Sequence, residues 1–276
     1  MTAPQKLNEL LSYFTPSPAQ FDAARSHRDS IAARLEQHPG TFGMFETGSL
    51  THGTGISIYS DVDFFASMKG TRPTPSTALA KVRDSLKARF TTTEVRVSSP
   101  AVVCKFAEGR ETLEVVPAYY ASDGYWIPDP KSGDWMKSNP SADAEYVSDI
   151  NKKHDGGVKK LIRLLKAWKY RKGVPISSFY LEMRAAKYSS GVSTFILIWD
   201  LCLILEELVA LELAAMNSPV ASGRRINPCS SEANRADALS KTKTAALRAR
   251  RALEAHNAGK PAEAVAALKL LFEFSR

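Results

Sequence analysis

The spacing of apolar residues changes character once along the chain. Before about residue 140 it includes short strand-length runs, and from there to the end it is almost entirely helical. Segregated strands and helices require a mixed sheet with flanking helices followed by a helical half, an α+β arrangement. The expected division is therefore 1–140, a sheet core with an N-terminal helix, and 141–276, a helical domain. Within the first part, residues 7–11 and 19–35 have helical spacing, the latter with Ser17 as N-cap and Pro18 in the first turn. Residues 41–45, 61–65, 95–97, 101–106 and 111–116 read as strands, the last two as a hairpin around 108–110. Residues 75–90 read as a helix turning Leu79, Val82 and Leu86 inward. The proline- and aromatic-rich stretch 117–140 reads as an irregular covering segment.

Apolar residues at 44% and charged residues at 24% are ordinary globular values, which excludes disorder, collagen and a coiled coil. Cys104, Cys202 and Cys229 lie 98 and 27 residues apart and suit neither a disulfide framework nor a zinc site. With no signal-like N-terminus and no apolar run long enough to span a bilayer, the expected setting is the cytoplasm, away from membranes. The net charge of +8 is concentrated. Residues 152–172 hold nine Lys and Arg against Asp155, and residues 223–251 hold eight against Glu232 and Asp237. Two basic segments on an otherwise acidic body suit polyanionic ligands, nucleotides or nucleic acid.

The chemistry is concentrated at Gly48-Ser49 and Asp61-Val62-Asp63-Phe64. Strand residues two apart share a face about 6.6–7 Å apart. Asp61 and Asp63 are thus expected on one side, with Val62 and Phe64 in the core behind. Two such carboxylates call for a hard divalent cation such as Mg²⁺. Glu114 is the candidate third acid, since Leu113 and Val115 point inward from the same strand. Three carboxylates on neighbouring strands can hold two metal ions. Gly48 allows close backbone approach and Ser49 adds a hydroxyl, which together could cradle phosphates.

These residues resemble the polymerase-β-like nucleotidyltransferases, in particular the bacterial CD-NTases, relatives of cyclic GMP-AMP synthase and oligoadenylate synthase. The likeness extends through Gly53-Thr54, the segment 113–118, residues 161–168, residues 176–182 and the loop 226–234. It implies a polymerase-β-like catalytic core followed by a helical domain of oligoadenylate-synthase type. It also implies metal binding (Mg²⁺ or Mn²⁺, two ions) by Asp61, Asp63 and Glu114, with Lys166 and Ser178 reaching a nucleoside triphosphate and Asn234 at the nucleotide-side loop. The implied activity is template-independent joining of ATP, GTP or both into a cyclic di- or oligonucleotide that activates a separate effector in anti-phage (CBASS) defence. The animal relatives' zinc cluster is missing, so duplex-DNA activation is not expected. Thr47 stands where the family has an apolar residue, and Glu114 where it has Asp.

Helical geometry adds to this picture. Lys159, Arg163, Lys166 and Tyr170 fall in one stripe, opposite Leu161, Leu164, Leu165 and Trp168, so a cationic face could line a triphosphate cleft. Tyr119, Tyr120, Tyr125, Trp126 and Trp135 read mainly as sheet-edge packing, with base stacking as the other use. His52 reads as an incidental loop histidine and Asn234 equally as a helix-capping residue. Two further functions fit the residues: nucleotidyl transfer to an RNA 3′ end or a protein hydroxyl, and a degenerate nucleic-acid-binding protein.

Overall fold

The computed structural model describes residues 1–17, 22, 25–57, 61–107, 111–221 and 223–274. Pro18, most of the first part of the expected helix 19–35, and the hairpin tip 108–110 lie outside the described residues. The chain forms two units, one comprising Pro16–Gly55 and Tyr59–Ala144, the other Met1–Thr15, Ile56–Ile58 and Glu145–Arg276.

The first unit is built on a seven-stranded sheet of β1 (Thr41–Thr47), β2 (Val62–Met68), β3 (Glu94–Ser98), β4 (Ala101–Phe106), β5 (Glu111–Ala121), β6 (Gly124–Pro128) and β7 (Trp135–Ser138). Its order is β1-β2-β5-β4-β3, with β6 and β7 continuing from the far end of β5. Only β2 and β5 run parallel; the other pairs are antiparallel. Alternation along the strands divides the side chains between two faces. Val62, Phe64, Val102, Cys104, Leu113 and Val115 form one core beneath α2 (Arg28–Gln37) and α4 (Pro75–Arg89), which contribute Ile31, Leu35, Leu79, Val82 and Leu86. Phe65, Ala101, Val116, Ala118 and Ile127 form a smaller cluster on the opposite face. A one-turn helix, α3 (Gly48–Thr51), follows β1 directly.

The stretch 117–140 differs from its expected irregular form. It supplies the end of β5 and both β6 and β7, with Tyr119 paired to Trp126 and Trp126 to Lys137. Aromatic rings favour a half-buried pleated surface, and here that preference prevails over the prolines: Pro117 is accommodated within β5 opposite Ala66, Pro128 closes β6 and Pro130 lies between β6 and β7. Tyr119 and the two tryptophans pack on the core under α4, where Trp135 Nε1 donates to the Pro73 carbonyl at 2.9 Å. Tyr125 packs with Phe45 and Phe65 on the other face, and Tyr120 is 61% exposed.

The second unit contains α1 (Ala3–Phe14), α6 (Gly157–Arg171), α7 (Ser178–Ser190), α8 (Leu197–Ala210), α9 (Glu232–Asn257) and α10 (Pro261–Phe272), with a small β8–β9 ribbon (Met216–Asn217 and Arg225–Ile226). Helix α5 (Pro140–Lys153) runs across the sequence boundary between the units. Thr2 and Gln5 form a capping box that starts α1. Leu7, Leu10, Leu11 and Phe14 are buried and α1 packs on α6, α8 and α10, so this helix groups with the helical unit and not with the sheet core. Each fully buried side chain of this kind contributes about 1.5–3 kcal/mol. The apolar run around 195–205 becomes α8, whose Ile198, Leu201, Ile204, Leu205 and Leu208 are buried. Among the described residues, no helix is long and apolar enough to cross a membrane.

Candidate active site

Asp63 occupies the second position of β2. Its sequence neighbours Val62 and Phe64 are 1% and 0% exposed in the main core, so alternation turns Asp63 to the opposite face. Leu113 and Val115, both 0% exposed, fix Glu114 in the same way. The parallel register of β2 and β5 sets Asp63 opposite Glu114, and on the other side of β2 Asp63 pairs with Thr47. Asp61, the expected first residue of this strand, lies just outside it, because β2 begins one residue later at Val62, and it is exposed.

Charge links the outer two acids. Burial, then the Asp61 charge, push the Glu114 carboxyl up to about 6, with Arg96 acting in the opposite direction. Asp61 is itself raised by surrounding protein atoms, an effect that Lys105 opposes. Lys105 and Arg96 are both tied to Glu94, at 3.1 and 3.2 Å. Because the folded-state pKa of Glu114 lies above its ordinary 4.5, ionisation of this group opposes folding. Its contribution to stability is therefore greatest below pH 4.5 and falls as pH rises towards about 6, by about 2 kcal/mol. Asp61→Asn removes one raising charge, so the Glu114 midpoint should fall in that variant. A carboxylate ¹³C NMR titration reads this directly, and an unmoved midpoint would show that the two acids do not interact.

Gly48 stands beside these acids within the sheet unit. Its φ of +69° lies in the left-handed region, and a Cβ built there would stand 2.0 Å from Asp63 Oδ2 and 2.9 Å from Asp63 Cβ. The glycine is thus the space that the Asp63 carboxylate occupies. Thr54, fully buried, holds the turn in place: its N–H donates to the Ser49 carbonyl at 2.8 Å and its hydroxyl to the same oxygen at 3.4 Å. His52, expected to be incidental, is 3% exposed inside this turn, and Thr47 is 4% exposed. Gly48→Ala should displace Asp63, lowering turnover by about 100-fold while costing about 1–2 kcal/mol of stability. Steady-state rates and thermal melting of the variant check both figures.

The donor set suits a hard divalent cation: all three groups are carboxylates, and the mutual repulsion of Asp61 and Glu114 is what a cation would relieve. Among the described residues, no three His, Cys, Asp or Glu side chains are gathered tightly enough to hold a metal ion as they stand.

In the helical unit the candidate residues are placed differently from the expected cationic stripe. Lys166 is 2% exposed, and its ammonium lies 2.6 Å from Glu182 Oε2 on α7. Lys159 donates to Ser148 Oγ at 3.2 Å. The hydroxyl of Ser178 accepts instead from Lys169 Nζ at 2.6 Å and lies 3.3 Å from the Tyr170 hydroxyl. Lys169 was not singled out from sequence, although it stands one turn beyond Lys166, about 60° around the helix. The Ser177 hydroxyl caps α7 by accepting from the Tyr180 N–H, and the Ser177 N–H donates to the Pro228 carbonyl at 2.7 Å. That bond brings the 226–234 loop to the start of α7. Asn234 takes part in helix capping: its backbone N–H donates to Ser231 Oγ at 3.2 Å and its Nδ2 to Ser230 Oγ at 2.8 Å.

Comparison with known proteins supplies the context for this geometry. A family model described as Second Messenger Oligonucleotide or Dinucleotide Synthetase domain matches residues 1–151. The chain is 30% identical over 207 residues to a cyclic AMP-AMP-AMP synthase of Acinetobacter sp., covering 68% of this chain and 59% of that protein. It is 30% identical over 112 residues to a probable cyclic nucleotide synthase of Bacillus cereus, covering 38% of this chain and 34% of that protein. Among solved structures, E. coli MS115-1 CdnC with ATP superposes with a TM-score of 0.77 at 17% identity, over 97% of this chain and 96% of that one. The fold is therefore that of the polymerase-β-like CD-NTases.

Proposed function

Because the chain belongs to the second messenger oligonucleotide or dinucleotide synthetase family, matched over residues 1–151, we propose that it is a template-independent nucleotidyltransferase making a cyclic di- or oligonucleotide from ATP, GTP or both. The observation that carries this reading is the register of Asp63 with Glu114 across parallel strands, with Gly48 against the Asp63 carboxylate. Asp61, Asp63 and Glu114 would hold Mg²⁺ or Mn²⁺, two ions in all. When bound, such ions lower the pKa of an attacking ribose hydroxyl and offset charge on the transferring phosphate.

In the reaction, the ribose hydroxyl oxygen bonds to the α-phosphorus, the bond from that phosphorus to the β-phosphate bridging oxygen breaks, and pyrophosphate leaves. The hydroxyl proton passes to a carboxylate. Glu114, in register with Asp63 across the parallel strands, is the carboxylate proposed to accept it. Asp63 fixes the position of the site through its packing on Gly48. Ring closure repeats the step on the linear intermediate, whose own 5′-triphosphate is then the donor. The product would activate a separate effector in anti-phage defence within the cytoplasm. The name of the Acinetobacter relative and the ATP bound by CdnC support ATP as a substrate.

The test is incubation of the purified protein with each labelled nucleoside triphosphate and Mg²⁺ or Mn²⁺, with and without RNA, followed by phosphatase treatment and mass analysis. Small phosphatase-resistant products are expected. Label transferred to RNA or to protein would replace cyclisation with macromolecular nucleotidyl transfer.

A further inference from the structure

Register lays out the carboxylate face of the sheet as two rows. In the first, across β3, β4, β5 and β2, Arg96 pairs with Val103, Val103 with Glu114 and Glu114 with Asp63. In the second, two residues away on each strand, Glu94 pairs with Lys105 and Lys105 with Thr112, while Asp61 directly precedes Val62, the partner of Leu113. The residues between the rows, Val95, Cys104, Leu113 and Val62, all lie in the main core. Both rows therefore present their side chains on the side of the acids. Arg96 is two strands from Glu114, and Lys105 is two strands from the level of Asp61, about 10 Å in each case. Arg and Lys side chains are long and flexible enough to span most of that distance.

A guanidinium and an ammonium so placed are attracted to Glu114 and Asp61, and on those carboxylates they would oppose a divalent cation. They are held elsewhere. Lys105 Nζ lies 3.1 Å from each carboxylate oxygen of Glu94, and Arg96 Nε donates to Glu94 Oε1 at 3.2 Å. One acid on the outermost strand thus keeps both cations turned towards β3. The hydrogen bond from Lys105 holds the Glu94 carboxyl below its ordinary range, so Glu94 stays charged at neutral pH.

We infer that Glu94 is a positioning residue for the metal-binding carboxylates: by keeping Lys105 and Arg96 on itself, it leaves Asp61 and Glu114 to a divalent cation. The assignment rests on the reading of Asp61, Asp63 and Glu114 as the metal site of a nucleotidyltransferase. The fields of the two cations already reach the acids, since Lys105 opposes the raised pKa of Asp61 and Arg96 that of Glu114.

The experiment titrates the nucleotide-free full chain with Mn²⁺ and measures the free ion by electron paramagnetic resonance. Wild type is compared with Glu94→Gln, with Glu94→Asp, with the pair Lys105→Met and Arg96→Met, and with all three changes Glu94→Gln, Lys105→Met and Arg96→Met together. Each protein is also melted without metal, and Asp61→Ala with Asp63→Ala defines the background. Glu94→Gln should weaken Mn²⁺ binding by about three- to fivefold at an unchanged melting temperature. Glu94→Asp, which keeps the charge, should stay close to wild type. The Lys105→Met and Arg96→Met pair should bind at least as tightly as wild type, and adding Glu94→Gln to it should change nothing further. Equal affinities for wild type and Glu94→Gln would overturn the assignment. So would an equal loss with Lys105 and Arg96 already replaced, because Glu94 would then act only through its own charge. Wild-type Mn²⁺ binding no stronger than the background would overturn it as well, and a lowered melting temperature of Glu94→Gln would make the residue structural. Failure of the functional reading shows elsewhere: Glu94-dependent Mn²⁺ binding by a chain that forms no product from nucleoside triphosphates would remove nucleotidyl transfer and leave the positioning role standing.

Discussion

Changing Asp61 and Asp63 together to alanine should reduce product formation to background, a loss of at least about 1,000-fold, or about 4 kcal/mol on the barrier. Asp63 has Thr47 on one side and Glu114 on the other, and Asp61 raises the Glu114 pKa. The double change therefore takes away two of three candidate metal ligands and leaves the third with a lower pKa. The fold should tolerate it. Asp61 is exposed before the strand begins, and Asp63 is only half-buried beside core residues Val62 and Phe64 that stay in place. The melting temperature without metal should be unchanged or slightly higher, because a repulsive pair has been removed, and stabilisation by added Mg²⁺ should disappear. Metal-dependent turnover at the wild-type rate in a folded double variant would eliminate this site as the catalytic one.

Lys166→Met should be the most destabilising single change in the helical unit. It removes the cation 2.6 Å from Glu182, when both side chains are only 3% exposed. Removing one partner from such a pair costs about 3–5 kcal/mol, because the remaining charge has been taken out of water. For a chain of this size that corresponds to a fall of about 10 °C in melting temperature. Replacing both partners with apolar residues of similar volume, Lys166→Met with Glu182→Leu, should recover most of the loss. If the single variant melts like wild type, the pair does not hold α6 to α7.

The carboxylate-bearing face of the sheet was legible in the sequence because the period of a strand is two. An aspartate between Val62 and Phe64, and a glutamate between Leu113 and Val115, cannot share the core with their neighbours, and the carboxylate face follows from that alone. The strands β6 and β7 were not legible, because turn-forming prolines and strand-favouring aromatics alternate in the same stretch and only pairing with β5 decides between them. The candidate residues of the helical unit were legible only as helix faces. A helical wheel groups Lys166 with other cations but cannot see Glu182, sixteen residues further on and in another helix.

By itself, then, the sequence determined the α+β fold class, the shared face of Asp63 and Glu114, and the glycine-serine turn that follows β1, since each depends on local period or backbone freedom. The tertiary structure decided what local pattern cannot encode: that β2 and β5 are parallel neighbours, that Gly48 makes room for a carboxylate fifteen residues away, that α1 belongs with the helical unit, and which lysine on α6 is neutralised by a partner. These are contacts between segments distant in the chain. They are set by which surfaces exclude water together, and that becomes defined only when the whole fold is formed.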